Sequence, residues 1–382
     1  PQAMVSGVST KKKKKKIAKG IDILVATSGR LMEHIKNKTV DLKTQSKELQ
    51  DLLSTYENSV KDILYQIPNI PNDLVKAGKD ADDNEIVFEH GEATPKPENL
   101  PHWEVAKKFD IIDFELGVKI TGAGFPVYKG KGARLQRALT QFFLDKNSDA
   151  GYTEIVPPFV VNEASGYGTG QLPDKEGQMY YINEDDLYLI PTAEVPVTNI
   201  YRDTIVKAED LPITLTAYSP CFRREAGSYG KDVRGLNRLH QFEKVEIVRI
   251  EKPENSYVAL DGMVEHVKGI LEDLELPYRI LRLCGGDTGF TSAITYDFEV
   301  FSEAQEKWLE VSSVSNFETF QANRLKLRYK DENGTQLAHS LNGSALALPR
   351  ILASILENHQ QADGTVKIPK ALQAYTRFEI LD

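Results

Sequence analysis

"FRREAGSYGKDVRGLNRLHQFEKVE", residues 222–246, is the stretch from which the fold can be read. Two strand-like runs flank a loop holding Gly227, Gly230 and Gly235, which predicts a hairpin with a long turn. Side chains alternate between the faces of a strand. Arg223 and Glu225 then share one face of the first strand, and Arg238, Phe242 and Glu246 share one face of the second. Paired, these residues line one surface with guanidiniums, an aromatic ring and carboxylates. Arginine is suited to bidentate phosphate contact, the ring offers a platform for a purine base, and a carboxylate can receive an ammonium group. The pattern predicts a site for a nucleotide beside an amino acid. The competing reading is a surface hairpin with scattered ion pairs.

Working outward, three segments supply compatible groups. "IPTAEVP", 190–196, predicts a strand with Thr192 and Glu194 on one face. "WLEVSSVSN", 308–316, offers Glu310, Ser312 and Ser313, a carboxylate with hydroxyls that suits Mg²⁺ beside substrate phosphates. "LNGSALALPR", 341–350, puts Asn342, Gly343 and Ser344 just before a helix that contains Arg350. Pro349 falls at the start of that helix, where its missing N–H costs least. Leu346, Leu348, Leu352, Ile355 and Leu356 read as core.

From residue 101 to 382 strand-like and helix-like segments alternate, with more strands than a βαβ repeat would give. Adjacent strands joined by short turns predict an antiparallel sheet flanked by helices, an α+β architecture. Within it, "YTEIVPPFVV" reads as one strand. Upstream, Leu49, Leu53, Tyr56, Val60, Ile63 and Ile67 recur at alternating spacings of four and three, a coiled-coil seam. A helix over 42–67 is about 39 Å long, and Pro68 and Pro71 stop it. Residues 69–100 read as a polar connector. In residues 1–41, Lys11 to Lys16 form a like-charge block that reads as a solvated segment, with nucleic-acid contact as the minority reading.

Composition sets outer bounds. The chain has 382 residues, 41% hydrophobic and 27% charged, with a net charge of -9, so as a whole it is no basic nucleic-acid binder. Two cysteines, Cys221 and Cys284, exclude a disulfide framework and a cysteine-rich zinc site, and fit a cytoplasmic protein. No apolar run reaches the roughly 18 residues of a membrane span. A start at Pro1 predicts a fragment or a processed chain.

Taken in order, "YGTGQLP" (167–173), "TAEVP", the 222–246 stretch, "EVSSVSNFETFQANR" and "LNGSALALPR" closely resemble the seryl-tRNA synthetases, class II aminoacyl-tRNA synthetases. The resemblance covers residues 42–382. It implies a class II catalytic domain over 101–382, preceded by the connector and, at 42–68, by the remnant of a helical tRNA-binding arm. It further implies L-serine, ATP and serine tRNA as substrates, Mg²⁺ as cofactor, and a homodimer with Pro158 in the interface segment. Thr192, Ala193, Glu194, Arg223, Glu246, Asn342 and Ser344 would hold serine. Arg223, Arg224 and Glu225, then Leu239, His240, Gln241 and Phe242, would contact ATP, with Phe242 stacked on adenine. Glu310, Val311, Ser312 and Ser313 complete the ATP site, with Glu310 and Ser313 on the metal, and Arg350 reaches the γ-phosphate. Arg223, Glu225 and Arg350 are the expected catalytic groups. Strand alternation would pair Glu310 with Ser312 rather than Ser313, so a bulge or strand end is implied there. Val314 stands where the family often has cysteine, a packing position.

"DILVATSGRLMEH", 22–34, resembles an RNA-contacting strand–turn–helix of DEAD-box RNA helicases. No GxxxxGK[ST] loop or Asp-Glu-Ala-Asp run accompanies it, so helicase activity is not expected. That piece sits where the first helix of the tRNA-gripping hairpin belongs, which predicts an impaired tRNA grip. A related ligase that loads an amino acid onto a carrier protein is the main alternative; such enzymes use a cysteine-ligated zinc, and Cys221 and Cys284 do not match that pattern. A binding-only paralogue is opposed by the intact set of charged site residues.

Overall fold

The computed structural model describes residues 3–4, 23–24, 36, 42–225 and 234–382. Two compact units divide the chain, Pro1–Ile67 and Pro68–Asp382. In the first, Ala3–Met4 pairs in parallel with Ile23–Leu24. The rest of the helicase-like stretch and the lysine block lie outside the described residues. Helix α1 spans Leu42–Leu64, ending in a tightened last turn just before Pro68. Its seam is exposed: Leu49, Tyr56 and Ile63 keep 66%, 62% and 63% of their surface.

The second unit is built on an eight-stranded sheet. In chain order the elements that matter are β1 (Glu85–His90), α2 (His102–Lys108), α3 (Gly130–Asp149), β2 (Thr153–Glu154) and α4 (Glu194–Asn199). They continue with β3 (Ile213–Phe222), β4 (Gln241–Glu251), α5 (Ser256–Asp273), β5 (Tyr278–Arg282), β6 (Ile294–Ser302) and β7 (Lys307–Glu318). Last come β8 (His339–Ala347), α6 (Leu348–Asn358) and α7 (Lys370–Thr376). The strand order is β1-β5-β6-β7-β8-β4-β3-β2. Every neighbouring pair is antiparallel except β3 with β2. The α+β expectation therefore holds. No helix among the described residues is long and apolar enough to cross a membrane.

Period-two alternation divides the central strands into a core face and a polar face. Val245 and Ile247 of β4, Phe298 and Val300 of β6, and Leu341 and Ala345 of β8 join the core under α3, α5 and α6. Their alternates, Lys244 and Glu246, Thr295 and Asp297, Asn342 and Ser344, line a cavity instead. Helix α6 begins with Pro349 in its first turn and buries Leu348, Leu352, Ile355 and Leu356 at 1% exposure or less, as expected of core positions. Each such side chain contributes about 1.5–3 kcal/mol on burial.

Four local expectations need correction. Residues 190–196 do not form a strand: α4 starts at Glu194, and Thr192 Oγ1 accepts the Glu194 N–H at 3.2 Å. Pro196 in the first turn has no N–H to satisfy, so the sequence favours a helix start over a ladder that needs that donor. "YTEIVPPFVV" splits into Thr153–Glu154 and Val160–Asn162, because Pro157 and Pro158 cannot donate to a ladder. Arg223 and Glu225 lie beyond the end of β3, and Arg238 lies before β4, so strand parity does not align them. Finally, the stretch read as a connector contains β1, which pairs with β5 at the sheet edge.

Candidate active site

At one end of the cavity, β4, β8 and the loop before α4 converge. Glu246 sits directly across from Ser344 in the ladder. The Thr192 hydroxyl donates to Glu246 Oε2 at 3.1 Å, and Lys244 Nζ reaches the same oxygen at 2.5 Å. Glu246 is 2% exposed, so burial pushes its carboxyl up, and the Lys244 ammonium pulls it back. Glu194 accepts from Gln321 Nε2 at 2.6 Å and faces Gln171. Burial, then the charge of Glu246, pushes the Glu194 carboxyl up to about 7. The buried Glu246 carboxyl, ion-paired with one lysine, thus lies close to the half-buried carboxyl of Glu194. Such a corner has capacity for a further cation, and the Thr192 and Ser344 hydroxyls supply neutral partners.

The middle of the cavity is aromatic and cationic. The Arg223 guanidinium lies 5.3 Å from the centre of the Phe242 ring, and its Nε donates to Pro191 O at 3.3 Å. Glu225, with a left-handed backbone (φ 49°), makes an ion pair with Arg238. This pairing brings together the ends of the loop that strand alternation does not. Arg350 donates through Nε to Asn237 O at 3.0 Å and through Nη1 to Glu310 O at 2.6 Å.

A second carboxylate corner lies on β6 and β7. A bulge shifts their register between Phe298 and Glu299, opposite Glu310–Ser312. It turns Glu310 and Ser313 toward the cavity while Val311 and Val314 join the core. The parity conflict in the sequence is resolved by this extra residue. The Ser313 hydroxyl donates to the Asp297 carboxylate. Burial, then the neighbouring Glu310 charge, holds the Asp297 carboxyl well above its ordinary range. Crowded oxygen ligands of like charge fit a hard divalent cation.

The cavity has a volume of about 680 Å³. It gathers Thr192, Glu194, Arg223, Glu225, Leu239, Phe242, Glu246, Glu310, Val311, Ser312, Ser313, Asn342, Ser344 and Arg350. Four predicted residues do not line it. Ala193 packs fully buried beside Val197. Arg224 lies over the Tyr180 ring, and His240 bonds the Tyr180 hydroxyl at 2.9 Å and stacks on Phe125. Gln241 opens β4 opposite Phe222. Sequence reasoning missed Lys244, Asp297 and Gln321. Lys244 was readable, because it falls in step with Phe242 and Glu246 on one face of the strand, whereas Asp297 lies on a strand whose faces the sequence left unassigned. Gln321 carried no local signal.

A sheet antiparallel but for one edge strand, flanked by helices and carrying an arginine–phenylalanine–carboxylate cavity, defines the core of a class II aminoacyl-tRNA synthetase. A family model for the class II tRNA synthetase core domain (G, H, P, S and T) matches residues 179–359. The chain is 54% identical over 349 residues to a serine–tRNA ligase of Salinibacter ruber, covering 91% of this chain and 82% of that one. It is 48% identical over 339 residues to a serine–tRNA ligase of Methanosarcina barkeri, covering 87% of this chain and 78% of that one. Among solved structures, a seryl-tRNA synthetase from Pyrococcus horikoshii complexed with ATP superposes with a TM-score of 0.82 at 32% identity, covering 97% of this chain and 88% of that one. A cytoplasmic serine–tRNA ligase from Naegleria fowleri in complex with AMP gives 0.83 at 28%, covering 97% and 86%. The chain belongs to the serine–tRNA ligase family.

Proposed function

We propose that this chain activates L-serine with ATP to seryl-adenylate and transfers the seryl group to the 3′ end of serine tRNA. The observation that carries the reading is the Glu246 corner: a buried carboxylate with the Thr192 and Ser344 hydroxyls beside it. It suits a small amino acid bearing both an ammonium and a hydroxyl. Hydrogen-bonding the serine hydroxyl leaves polar groups unpaired when alanine binds, which supports rejection of about 10⁴-fold.

Serine's carboxylate attacks the α-phosphorus of ATP in line and pyrophosphate leaves; the tRNA's terminal ribose hydroxyl then attacks the seryl carbonyl, loses its proton and takes the seryl group as AMP departs. No side-chain nucleophile is required. Arg223 steadies the α-phosphate, and Glu225 contacts the nucleotide. Phe242 stacks on adenine beside Leu239, and Arg350 meets the γ-phosphate. Catalysis rests on orientation and on stabilising charge where it develops. Glu310 and Ser313, with Asp297 beside them, would hold Mg²⁺, which when bound neutralises phosphate charge.

The same reading makes the enzyme a cytoplasmic homodimer. Val156, 83% exposed just before Pro157 and Pro158, supports an interface there. It also assigns 42–68 to a tRNA-binding arm and 101–382 to the catalytic domain. The exposed α1 seam supports a weakened grip on tRNA. Serine-dependent ATP–pyrophosphate exchange tests activation, and its absence rejects the reading. Charging of serine tRNA, against a chain given a complete helical hairpin, tests the arm. Equal charging by the two would show that the arm is not limiting.

A further inference from the structure

Outside the cavity, a buried histidine holds the return limb of the loop between β3 and β4. His102 opens α2 and is fully buried. Its Nε2 accepts the backbone N–H of Leu236 at 2.7 Å. Nε2 is therefore the unprotonated nitrogen, and Nδ1 donates to Glu357 Oε1 at 2.6 Å. Glu357, also fully buried, accepts the His102 backbone N–H at 2.8 Å and Gln305 Nε2 at 2.8 Å, and the Ser302 hydroxyl donates to its other oxygen. Gln305 Oε1 in turn accepts Asn237 Nδ2 at 2.8 Å. The backbone oxygen of that same Asn237 receives Arg350 Nε.

The circuit closes on one helix. Arg350 and Glu357 are two turns apart on α6 and so lie on one face. The loop limb is tied to both: directly to Arg350 through the Asn237 carbonyl, and to Glu357 through His102 and Gln305. Neighbouring side chains repeat the grip. Arg234 lies 4.6 Å from the centre of the Trp103 ring and 3.4 Å from Glu104. Gly235 passes so close, in the left-handed region (φ 66°), that a Cβ there would come within 2.1 Å of His102 Nε2. Three consecutive residues of α2 thus hold Arg234 and Leu236, with Gly235 passing close between them. Apolar side chains would join α2 to α6 without the desolvation that a buried His–Glu pair entails. The polar pair adds a directed acceptor for one loop N–H.

From this geometry we infer that His102 is a positioning residue for ATP. Through Leu236 and Asn237 it sets Arg350 and the Arg238–Leu239 wall of the nucleotide pocket, while the serine corner is set independently by β4, β8 and the loop before α4. This rests on the activation reading above. Wild-type exchange activity tests that reading separately, before any variant is compared.

The test uses two substitutions that divide the imidazole's bonds. His102→Gln places an oxygen near the Nε2 position and keeps an acceptor for Leu236. His102→Asn reaches Glu357 from the Nδ1 position but falls short of Leu236. In ATP–pyrophosphate exchange, H102N raises KM for ATP about tenfold with KM for serine unchanged, and H102Q stays within about threefold of wild type for both. Gln305→Met, which removes the Asn237 link from a half-buried position, raises KM for ATP alone and decides the matter if H102N does not fold. A purely structural pair would lower the thermal midpoint and leave KM for ATP in place. An unchanged KM for ATP in H102N and Q305M, or an equal rise in both substrates' KM, overturns the inference.

Discussion

Replacing Glu246 by glutamine keeps the shape of the serine corner and removes its charge. Two separate penalties follow. Lys244, whose side chain is 8% exposed, loses the carboxylate that it meets at 2.5 Å. Breaking a buried ion pair from one side costs about 3–5 kcal/mol. Lys244 borders the open cavity and can draw in water, so the lower end applies, and the thermal midpoint falls. The second penalty falls on the substrate. A serine ammonium loses a charge-assisted bond of about 1.5–3 kcal/mol, which is a rise of about 10- to 150-fold in KM for serine. KM for ATP, set on the far side of Phe242, moves by less than about threefold. The assay is ATP–pyrophosphate exchange at saturating ATP with serine varied, alongside thermal unfolding of the same preparation. Glu246→Gln combined with Lys244→Met should recover most of the midpoint, because no buried ammonium is left without its carboxylate, and should recover none of the serine affinity. A serine KM within threefold of wild type would refute the assignment of Glu246 to the ammonium, whatever happened to stability.

Other expected outcomes are narrower. Arg223→Ala should abolish exchange, reducing it by about 10³-fold; a slight weakening would show that this arginine does not serve the α-phosphate. Thr192→Val should raise KM for serine about tenfold, the effect of one lost hydrogen bond in a buried corner, with KM for ATP unmoved. Glu194 has a folded-state value of about 7 against an ordinary 4.5, so the unfolded chain loses its proton first. Stability therefore falls as pH rises from 4.5 to 7 and levels off above, by about 3 kcal/mol for this group. Denaturant unfolding of Glu194→Gln across that window should show a flatter profile than wild type, and parallel profiles would exclude the raised value. Asp297→Asn should raise the Mg²⁺ concentration for half-maximal exchange about tenfold, and an unchanged requirement would separate Asp297 from the metal corner.

Much of the site was legible because its chemistry is written locally. The order of Phe242, Lys244 and Glu246 along β4 puts all three on one face by the geometry of a strand, whatever it pairs with. Pro349 marks the start of α6, and the apolar spacing after it predicts a helix buried against a sheet. The conflict over Glu310, Ser312 and Ser313 was itself informative: two residues three positions apart on a strand, Glu310 and Ser313, share a face only across a bulge, and one is present. Local reading failed where two signals competed. Thr192 and Pro196 favour a helix start, and that preference overrode the alternating pattern of 190–196.

Strand and helix periodicity, the charged and aromatic inventory, and the α+β class could be read from residue order alone, because each depends on neighbours a few positions away. Which strands lie side by side could not. The placement of Ser344 across from Glu246 and the reach of His102 to Leu236 join segments far apart in the chain, and the Arg238–Glu225 contact closes a loop whose ends strand alternation does not align. Those contacts are set by sheet order and by the packing of α2 and α6, and only the folded chain brings them within bonding distance.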